Sequence, residues 1–280
     1  MARSRVLVAL VLGTGALFCL PLFAAPAQAR PAATAKAELD LAKLEADLES
    51  GDESRIQAAL DSIEKSGDAK AAPLVEALLV RGVRRKTCVR ALEVAGALKQ
   101  QSSSSAIAPY VRHRRSKIRH AAVRALIKTK GPVAVKALRH ALHSRDAMVR
   151  GIAASGLGAL GAKQALPDLF KALDHHVGEA AAAIGQLCEP TDCEKFASRL
   201  QKQPFDIMVS GFDQILFRPA KEIPDDEKIR IVGRLRELGT SEAGKYLANV
   251  AGRWPKGWSK RVKQALDSAV KATGGVVEGT

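Results

Sequence analysis

Arg81, Arg84, Arg85 and Lys86 fall within six residues, and Arg112, Arg114, Arg115 and Lys117 repeat the pattern 31 residues further on. Guanidinium and ammonium groups at this density bind anions such as carboxylate, sulfate and phosphate, by direct hydrogen bonds and by the summed positive potential. Arg124, Lys136, Arg139 and His140 extend the set. From residue 81 to 150 there are 18 Lys or Arg and only 2 acids, Glu93 and Asp146, so this window carries +16 where the whole chain carries +15. His113, His120, His140 and His143 lie in the same window, and their side-chain type titrates just below neutral pH. Each is by itself an ordinary surface or interface histidine.

Other chemistry is thinly represented. There is no phosphate-binding glycine loop, no His-Glu-x-x-His, no Gly-x-Ser-x-Gly and no Cys-x-x-Cys. Asp225-Asp226 reads as the negatively charged start of a helix. His175 and His176 are adjacent and cannot share a helix face. No catalytic residues, metal ligands or cofactor are assigned. Cys188 and Cys193 flank a short loop containing Pro190, and in an oxidising compartment a disulfide would close it. The rival set, zinc on Cys188, Cys193, His175 and His176, has no recognised ligand spacing. Cys88 sits on an apolar helix face with Ala91, Leu92 and Ala95 and reads as a small buried hydrophobe.

The compartment follows from the first 29 residues. Arg3 and Arg5 precede an apolar run from 6 to 23, and Ala27-Gln28-Ala29 is a small-x-small cleavage site. This predicts a bacterial secretory signal peptide cut after Ala29, placing the protein in the periplasm or outside the cell. The rival is an uncleaved anchor, since residues 6–25 just suffice to cross a bilayer. Phe18 before Cys19 argues against lipid modification of that cysteine. No second stretch approaches a membrane span.

The elements that carry the basic residues recur. Ile118, Arg119, Ala122 and Leu126 return as Val149, Arg150, Ala153 and Leu157, 31 residues on, and Leu157-Gly158 returns as Ile184-Gly185. A more distant copy spans 228–239. Each such helix is followed by a second helix stamped by proline near its start, at Pro73, Pro109 and Pro167, where the missing N–H has no helical partner to lose. Helix, turn, helix with a period near thirty predicts stacked pairs that bury their apolar stripes only against neighbours. Fifteen helices are expected, among them 37–50, 105–112, 116–130, 146–160 and 205–217, with no strand. The polar run 100–105 is expected to be a mobile loop.

Val149 to Gly161 carries the closest likeness: the chain resembles the HEAT-repeat family, in its short bacterial form with a Val-Arg-x-x-Ala-Ala helix. The resemblance covers roughly residues 52–273 and implies an all-α solenoid. It also implies that the signature arginines, Arg119, Arg150 and Arg230, are structural, with Asp146 and Asp226 as candidate partners four residues before Arg150 and Arg230. The proline-stamped helices, bearing Lys136, Arg139 and His140, are expected to line the concave side.

The expected organisation is a signal peptide (1–29), a linker and first helix (30–51), HEAT-like repeats with the basic block (52–203), divergent capping helices (204–273) and a disordered tail (274–280). Trp254 and Trp258 are expected to cover the end of the core. The expected function is a non-enzymatic scaffold that engages a protein partner through a concave basic surface. The alternative is direct binding of an anionic envelope polymer or lipid head groups. Nucleic acid is disfavoured by the signal peptide and because the basic block offers only one aromatic, Tyr110, for base stacking. A lyase-type activity, known among short HEAT relatives, has no residue pattern behind it here.

Overall fold

The computed structural model describes residues 39–274. The signal segment 1–29, the linker 30–37 and the tail beyond Gly274 lie outside the described residues, so the expectations placed on them are not addressed by it.

Fifteen α-helices follow one another: α1 (Leu41–Glu49), α2 (Glu53–Ser66), α3 (Ala72–Arg81), α4 (Arg85–Ala97), α5 (Ser104–Ile107), α6 (Ser116–Thr129), α7 (Gly131–Ala141), α8 (Ala147–Ala159), α9 (Leu166–Asp174), α10 (Glu179–Leu187), α11 (Pro190–Ala197), α12 (Phe205–Leu216), α13 (Asp225–Glu237), α14 (Ser241–Arg253) and α15 (Lys260–Ala272). Three 3-10 segments join them, at Ala69–Ala71, Ala108–Arg112 and Lys163–Ala165. No strand occurs among the described residues. The fold is an all-α solenoid of helical pairs. None of these helices is long and apolar enough to cross a membrane.

The pairs form two rows. The Val-Arg and Ile-Arg helices α4, α6 and α8, with α2 before them and α10 and α12 after, make one row; α1, α3, α5 and α7 make the other, tied on to α9 by the Arg139–Asp168 ion pair. Helices approach far more closely in the first row, because alanine and glycine face each other there. A methyl group added at Gly96 would lie 2.9 Å from the Ala125 Cα, and one at Gly158 would lie 3.0 Å from the Ala183 Cα. Gly185 lies directly against the Gly211 carbonyl. Lys136, Arg139 and His140 on α7 belong to the wider row.

Proline near the start marks α3, α7, α9, α11 and the 3-10 segment Ala108–Arg112. The expected helix at 105–112 is instead a single α-turn followed by that 3-10 segment. The polar run before it is tied down rather than loose. Ser103 and Ser104 are fully buried; the Ser102 and Ser103 hydroxyls donate to the Glu76 carboxylate, and the Ser104 hydroxyl donates to Thr129 Oγ1 at 2.9 Å. Ser103 and Ser104 are small enough to sit inside the stack and polar enough to require partners there.

The pattern changes after α12. α13 stacks on α11, with Arg234 ion-paired to Glu194, while α14 meets α12 through Tyr246 and Arg253, both hydrogen-bonded to Asp213. α15 packs against both α13 and α14. The distant copy at 228–239 therefore stands in the opposite row from its relatives. Its Lys228 is buried, donates to the Arg218 carbonyl and lies 5.6 and 5.1 Å from the ring centres of Trp254 and Trp258. Two π faces and one carbonyl hold the ammonium in an apolar setting, and burial pushes its pKa down. Trp254 is itself buried against Phe217 and covers the core at this end, as expected, whereas Trp258 is 37% exposed.

Candidate functional site

The turns from the wider row into the Val-Arg helices all fall along one edge of the stack, and most of the basic candidates sit in them. Arg81 closes α3, Arg84 precedes α4, and Arg85 and Lys86 open it. Arg112 ends its 3-10 segment, Arg114 and Arg115 form the next turn, and Lys117 lies in the first turn of α6. Arg145 occupies the same place before α8. Arg124 is exposed on α6, while Lys136, Arg139 and His140 lie on α7.

The signature arginines build these turns. Arg119 donates at 3.0 Å to the carbonyls of His113 and Arg114, and Arg150 donates at 2.9 Å to that of Ser144, six residues back in each helix. Each guanidinium thus satisfies carbonyls that the turn leaves without helical partners. The Arg115 N–H adds a bond to His113 Nδ1 at 3.1 Å. With its backbone fixed this way, the turn holds Arg114 and Arg115 outward into solvent.

Asp146 is the counter-charge of the centre, and its partners differ from the expected one. It caps α8 by accepting from the N–H groups of Met148 and Val149, but its ion pair is with Arg119 of the preceding repeat at 2.6 Å, joined by His120 at 3.0 Å. Arg150 turns to the Ser144 carbonyl instead. These partners hold the Asp146 carboxyl well below the usual range, at about 2, against the opposing effect of desolvation. Asp226 likewise pairs with Arg261 rather than Arg230, which takes Glu227. In both cases the adjacent repeat supplies a partner at the angle the helix itself cannot offer.

Of the 18 basic side chains between 81 and 150, five make ion pairs among the described residues: Arg81 with Glu49, Arg84 with Glu53, Arg90 with Asp61 and Glu64, Arg119 with Asp146, and Arg139 with Asp168. Arg85, Lys86, Arg112, Arg114, Arg115, Lys117, Arg124 and Lys136 make none. Arg81, Arg84 and Arg90 reach back to acids of α1 and α2, and Arg139 reaches forward to Asp168 on α9. The uncompensated ones accumulate at the middle of the edge, across three successive turns.

Cys188 and Cys193 are bonded to each other, with their Cα atoms 5.3 Å apart, and both are buried. Arg218 braces that turn by donating to the Cys188 and Gly185 carbonyls. Cys88 is buried and free, and burial pushes its thiol pKa up, which suppresses thiolate chemistry. Among the described residues no group of three His, Cys, Asp or Glu is placed to hold a metal. Sequence reasoning named Asp146 but matched it to Arg150, and so missed its contacts with Arg119 and His120. It also missed the Lys228 cage, for which spacing gave no signal.

Stacked helical pairs with a fixed edge of turns define a repeat scaffold. Residues 83–155 and 135–210 of the stack match the HEAT-repeat family. The fold is similar to that in the complex of CpcE and CpcF of phycocyanin lyase from Nostoc sp. PCC7120, at 19% identity over 87% of this chain and 98% of that one, with a TM-score of 0.46. An engineered protein is similar at 14% identity, over 84% and 68% of the two chains, with a TM-score of 0.49. A designed armadillo repeat protein is similar at 13%, over 84% and 100%, with a TM-score of 0.40. No curated protein matches the sequence.

Proposed function

We propose that this chain is a non-enzymatic, extracytoplasmic scaffold that binds an acidic protein partner along the edge formed by its basic turns. The observation that carries this is the run of unpaired cations, Arg85 and Lys86, then Arg114, Arg115 and Lys117, then Arg145, presented on turns one repeat apart. Like charges this close repel one another and cost stability, so their retention makes sense if a partner neutralises them. In this reading the turn edge is the main contact, with Arg124, Lys136 and His140 flanking it. The N-terminal signal and the bonded Cys188–Cys193 pair both support an oxidising compartment. We further propose that the capping region begins after α12 rather than at residue 204, since α12 still packs in the close row.

A second reading, an anionic envelope polymer or lipid surface, is favoured by the regular spacing of the turns, which suits a repeating charge. Nucleic acid ranks below both.

The test uses residues 30–280 as bait in an envelope extract, washed at low and high salt, beside Arg114→Glu/Arg115→Glu/Lys117→Glu. A discrete protein retained by the parent and lost by the triple variant supports the scaffold reading. Retention of polymer or lipid alone, released by salt, supports the second. A triple variant that melts would show these turns to be structural and refute both.

A further inference from the structure

We propose that the groove between the 3-10 segment Ala108–Arg112 and α7 docks an apolar side chain of the partner, carried in an acidic peptide segment. This rests on the acidic-partner reading above and specifies what such a partner must present.

The groove originates in the shortened unit. Where α3 has 10 residues and α7 has 11, this unit has a 4-residue α-turn and a 5-residue 3-10 segment. A 3-10 segment is narrower than an α-helix, so it covers less of the next helix. One stripe of α7 is left open, at Val133, Lys136, Ala137 and His140, which follow i, i+3, i+4, i+7 spacing. The opening holds about 330 Å³, with Pro109 and Val111 on the opposite wall, a size that accepts one or two aliphatic side chains. Val133 is 41% exposed, one of only four large hydrophobics left so among the described residues.

Charge selects the occupant. Arg112 and Lys136 stand at the rim without a carboxylate partner, and no acid lines the groove. Arg112 has only His140 Nδ1 at 3.5 Å. The nearest turn beyond it carries Arg114 and Arg115. An apolar side chain entering here brings its flanking residues against four cations, and flanking carboxylates satisfy them. A basic or neutral segment would leave them unpaired.

The experiment measures fluorescence anisotropy of two labelled 12-residue peptides with the full chain. One has two leucines flanked by glutamates; in the other the leucines are serines, at equal charge. The expected result is at least tenfold tighter binding of the leucine peptide. Val133→Asp should abolish that preference while weakening polyglutamate binding only slightly, through the added carboxylate. Lys136→Glu, a second exposed position, should weaken the leucine peptide more than polyglutamate. Equal binding of the two peptides, or a preference that survives Val133→Asp, would overturn the groove proposal and leave the edge reading standing. Failure of both peptides and of polyglutamate would overturn both. Phosphatidylglycerol vesicles whose binding depends on Val133 would reassign the groove to a lipid surface. Loss of a dimer in sedimentation of Val133→Asp would reassign it to a second copy of this chain.

Discussion

Replacing Asp146 by asparagine separates stability from binding in opposite directions. Asparagine caps a helix about as well as aspartate, so the substitution spares α8 and removes only the ionic contacts to Arg119 and His120. The carboxyl's pKa falls from 3.8 to about 2 on folding, and a shift of that size corresponds to roughly 2 kcal/mol of stability at neutral pH. The side chains of Asp146 and Arg119 are 14% and 19% exposed, so screening by solvent removes only part of it. Because the folded-state pKa is the lower one, this contribution is complete above pH 4 to 5 and disappears as pH falls through about 2. Urea unfolding of parent and Asp146→Asn should therefore differ by about 2 kcal/mol at pH 7, about half that near pH 3 and almost nothing at pH 2. Yet the variant frees the Arg119 guanidinium and deletes one of two acids in the basic window. It should bind polyglutamate or heparin more tightly than the parent at pH 7, with a steeper loss on adding salt. A gap in stability that stays constant with pH would refute the ion-pair assignment. Weaker anion binding by a folded variant would refute the claim that the edge acts through uncompensated charge.

Further outcomes follow from the packing. Gly185→Ala drives a methyl group into the Gly211 carbonyl between α10 and α12 and should cost about 1–3 kcal/mol. Gly233→Ala, in α13 with no atom within 4 Å of the added carbon, should gain about 1 kcal/mol, raising Tm by about 2–4 °C. Replacing Cys188 and Cys193 together by serine opens a short loop and should lower stability by about 2 kcal/mol, with a matching drop in the parent on adding reductant under denaturing titration. Lys228 has its pKa lowered by burial, so the charged form is disfavoured on folding and stability should rise as pH climbs through the folded pKa toward 10.5. Lys228→Met should flatten that rise and shift the emission of Trp254 and Trp258.

Much of the fold was readable because repetition multiplies weak signals. One Val-Arg-x-x-Ala-Ala helix means little, whereas its return at 118 and 149, with its Leu-Gly end echoed at Ile184-Gly185, states both the element and its stacking. Prolines located helix starts because their constraint is local. What failed depended on neighbours. The serines at 102–105 looked loose because nothing in sequence names Glu76 and Thr129 as their partners. Asp146 was matched to the arginine four residues on, where helix geometry suggested it, but the preceding repeat offered a closer guanidinium. The basic residues of the site were visible by type, while their division between paired and unpaired depended on acids some thirty residues away. The groove at Val133 was invisible, since it arises from a neighbouring unit being too short.

The exchange of rows at α13 also constrains how such a chain can lengthen. Anywhere from α2 to α12, duplicating one helical pair creates a new junction that repeats those on either side, so the copy fits on arrival. Past α12 the mating surfaces differ above and below, and a copied pair would meet one correct neighbour and one wrong one. The array is therefore open to lengthening, natural or engineered, by duplication within α2 to α12 and not across the α12–α13 junction.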